Sequence, residues 1–195
     1  MHNKFFDLKN YSSPGPAKPK SEKWESRYLL SHYEKVAKLE EDLLRLPSEE
    51  EFFFLQTDNS FNAFTFIPMI CKARSVKELY ACTYSISRKV IEALIELHDS
   101  GIIEQVTLMI SDSMIKRNPI TIDNLMAMAK ERANFTVNYA WVHAKVCLLQ
   151  TEDAHYIIEG SGNWSENAHY EQYIFANSKG LYEFRKKLFT ETKLR

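Results

Sequence analysis

Residues 143–163 read HAKVCLLQTEDAHYIIEGSGN, and this segment decides how the rest of the chain is organised. Its apolar run predicts a strand over 143–149, a turn near Thr151, Glu152 and Asp153, and a returning hairpin strand over 156–158. Side chains on a strand alternate with period two, so His143 and Lys145 project from one face. Just past the second strand, Gly160-Ser161-Gly162-Asn163 brings a hydroxyl, an amide and main chain beside that face, since glycine lets backbone approach a ligand. Imidazole, ammonium, amide and hydroxyl together suit a tetrahedral phosphoryl group. The imidazole can attack phosphorus or transfer a proton, while Lys145, Asn163 and Ser161 stabilise charge on the non-bridging oxygens.

Outward from this hairpin, strand-forming and helical stretches alternate. Strands are expected over 79–86, 106–110, 135–139 and 172–175, and helices over 88–97, 124–132 and 181–189. Ser87 is a candidate N-cap for the first of these helices and Gly101 is placed to end it. The alternation predicts α/β, and the late hairpin makes the sheet mixed, with helices flanking it. The stretch holding Phe52, Phe53, Phe54, Phe61, Phe64 and Phe66 fits no single periodicity. Upstream, apolar residues from Trp24 to Leu46 recur at helical intervals until Pro47, which predicts an extra N-terminal amphipathic helix. Residues 1–20 hold three of the six prolines and no apolar period, and read as a flexible tail. The expected layout is a tail over 1–20, a helical extension over 21–50 and a catalytic domain over 51–195.

Composition narrows the function classes. Hydrophobic residues make up 45% of the 195, enough for a sizeable core. Only five glycines occur and neither GxGxxG nor GxxxxGK[ST] is present, which argues against nucleotide-binding loops of those types. The net charge of -1 gives no global pull toward a polyanion, the acidic excess lying over 34–51 with seven acids against three bases. Cys71, Cys82 and Cys147 have no CxxC spacing, so buried thiols in a reducing compartment are expected rather than disulfides or a zinc knuckle. With no signal-peptide pattern and no long apolar run, the expectation is a cytoplasmic protein without stable membrane association.

HxK followed by GSxN resembles the HKD signature of the phospholipase D superfamily: HxK, four residues, Asp, six residues, GSxN. Six residues separate Asp153 from Gly160, which matches, whereas seven rather than four separate Lys145 from Asp153. The extra three are read as a lengthened hairpin turn, which leaves the motif role of Asp153 in question. Glu171, eight residues after Asn163, is similar to the family's acidic residue that orients the nucleophilic histidine. The segment Ala81-Cys82-Thr83-Tyr84-Ser85-Ile86-Ser87 resembles the family's first core strand ending at the active-site rim, which makes Ser85 a rim candidate; Trp164 is read as packing or as a rim aromatic. Taken singly, each residue has an ordinary structural use, and their joint occurrence at family spacing is what favours chemistry. Glu166 competes with Glu171, and His155 and His169 are given surface or structural roles.

The resemblance implies a metal-independent, cofactor-free phosphodiester displacement through a phosphohistidine, with a second histidine from another HKD copy as the proton donor. This chain has one copy, so a homodimer sharing one site is expected, in which His143, Lys145 and Asn163 of both chains meet. Two facing lysines suit an anionic phosphate between them. Single-copy members resemble bacterial endonucleases, so nucleic acid, DNA or RNA, is the favoured substrate. A lipid or small-molecule phosphodiesterase, served by the Phe-rich stretch, and a noncatalytic nucleic-acid-binding module are the alternatives.

Overall fold

In a computed structural model, residues 39, 43, 45–57, 61–165 and 170–194 are described. The tail over 1–20, Glu166 and His169 lie outside them. So does most of the helix expected over 21–46, of which Leu39 and Leu43 are described, both helical, with Leu39 fully buried.

Seven strands form one mixed sheet: β1 (Glu51–Thr57), β2 (Val76–Thr83), β3 (Ile103–Ser111), β4 (Phe135–Ala140), β5 (Val146–Gln150), β6 (His155–Gly160) and β7 (Glu171–Asn177). The order is β1-β7-β6-β5-β2-β3-β4. Parallel pairing joins β2, β3 and β4, and every other neighbour is antiparallel. The parallel pairs require crossovers, supplied by α2 (Arg88–Asp99) and by α3 (Ser113–Arg117) with α4 (Pro119–Lys130). α1 (Phe66–Ala73) precedes β2, and α5 (Lys179–Glu191) follows β7. The expected α/β sheet flanked by helices is the observed one.

Local chemistry sets the element ends. The Ser87 side chain accepts from Val90 N and starts α2, and Gly101, at φ 74°, terminates it where a left-handed residue is needed. Alternation along the strands divides the core in two. Leu79, Ala81, Leu108, Cys147, Leu149, Ile158 and Phe175 face the larger core with α1 and α2, whereas Cys82, Met109, Leu148, Ile157 and Ala176 face Tyr182 and Phe189 of α5. Cys82 and Cys147 are buried as expected, and burial pushes both thiols up to about 12, which leaves them inert near neutrality.

The unassigned Phe-rich stretch resolves into β1, a 3-10 turn over Ala63–Thr65 and α1. Phe61, Phe64 and Phe66 are buried, packing edge-on or stacked against Tyr173, Trp164 and Phe175. Phe52 and Phe54 are exposed on the α5 side of β1, opposite Ala176 and Ile174. Half of the stretch, Phe61, Phe64 and Phe66, is therefore core, and Phe52 and Phe54 face outward from β1.

Candidate active site

The sheet register collects the motif at one end. Cys82 pairs with Val146, Val146 with Glu159, and Gly160 with Tyr173, so the C-terminal ends of β2 and β6 lie beside the N-terminal ends of β5 and β7. The parallel strands β3 and β4 end on the same side. Residues 84–87, 112–113, 141–145 and 161–165 consequently share one rim.

β5 begins at Val146, not at residue 143 as expected. The reason is the end of β2. Thr83 Oγ1 donates to Ser85 O and accepts from Trp164 N, which turns the chain away and leaves His143 and Ala144 no strand partner. His143 and Lys145 thus extend past the sheet, and their side chains still meet: Lys145 Nζ lies 3.1 Å from His143 Nδ1 and 3.4 Å from Nε2, and donates to His143 O at 2.9 Å. His143 is exposed while Lys145 is only 9% exposed. Burial lowers the Lys145 ammonium from the ordinary lysine range, against the through-space attraction of the Glu171 carboxylate.

Glu171 is buried at the start of β7, and its carboxylate accepts from the Ser161 hydroxyl rather than from His143. The same hydroxyl oxygen accepts from Gln172 N at 3.1 Å. Within one chain, then, Glu171 orients the serine of the motif, and the histidine-orienting contact read from the resemblance is not made. Asn163 is half-buried in the same turn.

Two expected residues lie elsewhere. Asp153 sits in the turn at the opposite end of β5 and β6, where it accepts from Thr151 Oγ1 and pairs with Arg74 at 3.3 Å. It therefore lies one hairpin length from the site, as does Gln150, which holds the family spacing at the far end of β5. Trp164 is fully buried, its ring 5.3 Å from that of Phe64, so it is core and not rim. Ser85 does stand at the rim, its hydroxyl 2.8 Å from that of Ser165. His155 packs against Tyr182 at the far end of β6.

Sequence reasoning missed Tyr84 and Arg117. The Tyr84 ring lies 4.8 Å from the His143 ring and 5.8 Å from Lys145 Nζ, and its hydroxyl accepts from Arg117 Nη1 at 2.7 Å. A hydrogen bond from Ser113, then the charge of Arg117, lowers the phenol from its ordinary range. Tyr84 was within the quoted strand, and its place directly before Ser85 was the available signal; nothing in the sequence marked Arg117. Among the described residues no three His, Cys, Asp or Glu side chains gather as metal ligands, and no helix is long and apolar enough to cross a membrane.

The family model described as "Cardiolipin synthase, PLD-like domain" matches residues 66–190, well over half of the chain. The chain belongs to this family. Structural likeness agrees with a phospholipase D-like fold. A polyphosphate kinase from Porphyromonas gingivalis matches at TM-score 0.58 and 16% identity, over 92% of this chain and 31% of that one. A phosphatidylserine synthase from Haemophilus influenzae matches at 0.53 and 14%, over 74% and 39%. TrmBL2, an archaeal chromatin protein with a novel mode of DNA binding, matches at 0.51 and 9%, over 84% and 59%. The phospholipase D-like chain spans between 31% and 59% of the length of these proteins. No curated protein matches it. Members of this superfamily are usually phosphoryl-transfer enzymes, the class for which an imidazole, a buried ammonium and a hydroxyl-carboxylate pair at one sheet rim are suited.

Proposed function

We propose that the phospholipase D-like chain is a metal-independent phosphodiesterase that cleaves nucleic acid through a phosphohistidine on His143, working as a homodimer with one shared site. The observation that carries this reading is the exposed His143 imidazole beside the buried Lys145 ammonium, on the rim that also holds Ser161 and Asn163. A ring nitrogen of His143 attacks phosphorus, and the bond to the leaving oxygen breaks as the partner's His143 gives that oxygen a proton. The partner's His143 then takes a proton from water, whose oxygen displaces the histidine from phosphorus. Lys145 and Asn163 hold the non-bridging oxygens. The dimer reading is supported by the placement of the other described histidines, His98 and His155, which pack against Phe135 and Tyr182 away from the rim.

Nucleic acid is favoured over lipid because the side chains in contact with His143 are Tyr84 and Lys145 and the same rim carries the Ser85 and Ser161 hydroxyls, while the Phe-rich stretch is core or faces outward from β1. Incubation with supercoiled plasmid, bis-p-nitrophenyl phosphate and phosphatidylcholine vesicles, all in EDTA, tests this. Nicking and diester hydrolysis without lipid turnover are expected. Turnover of lipid alone would transfer the assignment to a lipid phosphodiesterase, and silence on all three to a binding module.

The buried lysine predicts a pH dependence. Lys145 binds phosphate as the ammonium, present below its pKa and lost as pH rises through it; burial lowers that pKa, so kcat/KM falls on the alkaline side earlier than for an ordinary lysine. Lys145→Arg, whose guanidinium does not titrate in this range, is expected to remove the alkaline limb while costing roughly tenfold or more in rate through changed geometry. An alkaline limb unmoved in Lys145→Arg would assign it to another group.

A further inference from the structure

Arg117 closes α3 at the edge of the same rim, and its side chain is held in one place. Nη1 donates to the Tyr84 hydroxyl at 2.7 Å, and the guanidinium carbon lies 5.2 Å from the Tyr84 ring centre. Ser113, which begins α3, bonds Ser111 at 3.0 Å at the end of β3, so the helix that carries Arg117 is tied to the strand end beside Tyr84. The other neighbours of the Tyr84 ring are the imidazole, 4.8 Å away, and the ammonium of Lys145, 5.8 Å away. One phenol therefore separates two cations, Lys145 beside the nucleophile and Arg117 beyond it.

Arg117 is exposed, and among the described residues Tyr84 is its one polar partner, with no carboxylate at ion-pair distance. A guanidinium carries five N–H donors in a planar fork, so one bond to a phenol leaves four. Arg74, Arg88, Arg132 and Arg185 each face a carboxylate. Arg117 instead keeps a charge that no carboxylate compensates, held against the same phenol that His143 packs on. Such a fork recognises phosphate by paired N–H donors.

We propose that Arg117, positioned by Tyr84, binds the phosphate adjacent to the scissile one, so that the substrate is a strand with consecutive phosphates rather than an isolated diester. The proposal rests on the nuclease reading and sharpens it. A lone diester places its charge between His143 and Lys145 and leaves Arg117 unused. A nucleic-acid strand fills both positions at once. The near-zero net charge of the chain is no obstacle, since this recognition is local.

The test compares the wild type with Arg117→Ala on two substrates with the same scissile bond: thymidylyl-thymidine, with one phosphate, and a ten-residue oligothymidylate. The loss in kcat/KM is expected to be about tenfold or more on the decamer and less than threefold on the dimer. In parallel, decamer binding by the full chain carrying His143→Ala, with and without Arg117→Ala, is followed by fluorescence anisotropy against salt. Removing Arg117 should lower the slope of log affinity against log salt by about 0.7, the value for one phosphate contact on a single strand. Equal losses on both substrates with an unchanged slope would overturn the proposal and leave Arg117 as a support for Tyr84. If nothing is cleaved but the slope still drops, the subsite stands and the catalytic reading falls.

Discussion

His143→Ala is expected to lower metal-independent phosphodiester hydrolysis by about 10⁴-fold, because the proposed mechanism puts the covalent intermediate on this imidazole and nothing described beside it can replace it. The fold should be unaffected. His143 is exposed and lies outside the strand pairing, so the melting transition is expected to stay within about 0.5 kcal/mol of the parent. A shared site makes a further, sharper demand. In a dimer where one His143 attacks and the partner's His143 protonates, a mixed dimer lacks one role, whichever chain carries the alanine. After subunits are exchanged, activity should follow the square of the wild-type fraction, so an equal mixture gives about a quarter of full activity. Mixing purified proteins at a series of ratios and assaying bis-p-nitrophenyl phosphate hydrolysis in EDTA reads this directly. A linear decline would mean that each chain works alone, and substantial activity in pure His143→Ala would remove the phosphohistidine.

The motif was legible because it is local in sequence and the hairpin keeps it local in space. His143, Lys145, Ser161 and Asn163 belong to two adjoining strand ends, so reading one hairpin places all four. Glu171 was found by its distance from Asn163, but its contact with Ser161 depended on how β7 lies against β6, which spacing does not specify. The strand boundary at Val146 was misread for a related reason. A strand ends where its neighbours end, and the turn that Thr83 makes is a property of β2. β1 escaped because Phe52 and Phe54 put apolar side chains on its exposed face as well as its core face, and α1 because Phe66 to Ile70 are all buried, so neither leaves an alternation of apolar and polar positions to reveal a period. Trp164 was ambiguous between rim and core for want of its partner Phe64, a hundred residues away in sequence. Arg117 is the clearest case of non-local information. It reaches the site only because β2 and β3 are parallel neighbours, so the helix after β3 starts next to the tyrosine after β2.

Gly160→Ala is expected to destabilise the protein by about 3 kcal/mol, at the upper end for overpacking, lowering the melting temperature by roughly 6–12 °C. The sequence suggests that this glycine serves ligand approach, but the structure gives it a packing role. A Cβ at Gly160 would stand 2.1 Å from Gln172 O and 2.7 Å from Tyr173 Cδ1. Neither atom can retreat cheaply. Gln172 O belongs to the backbone of β7 and accepts from Ser161 N, and Tyr173 is buried between Phe61 and Phe66. Relief requires β7 to move away from β6, and that movement carries Glu171 away from Ser161. Activity should therefore fall further than the folded fraction does, measured well below the melting transition. Gly180→Ala is the control: a Cβ there meets nothing within 4 Å, and alanine in a helix is favoured over glycine by about 0.5–1 kcal/mol, so a small gain in stability is expected. Calorimetry on the two variants separates the explanations. A Gly160→Ala protein that melts with the parent would show that β6 and β7 can part without cost, and the rigid placement of Ser161 on Glu171 would then have no structural basis.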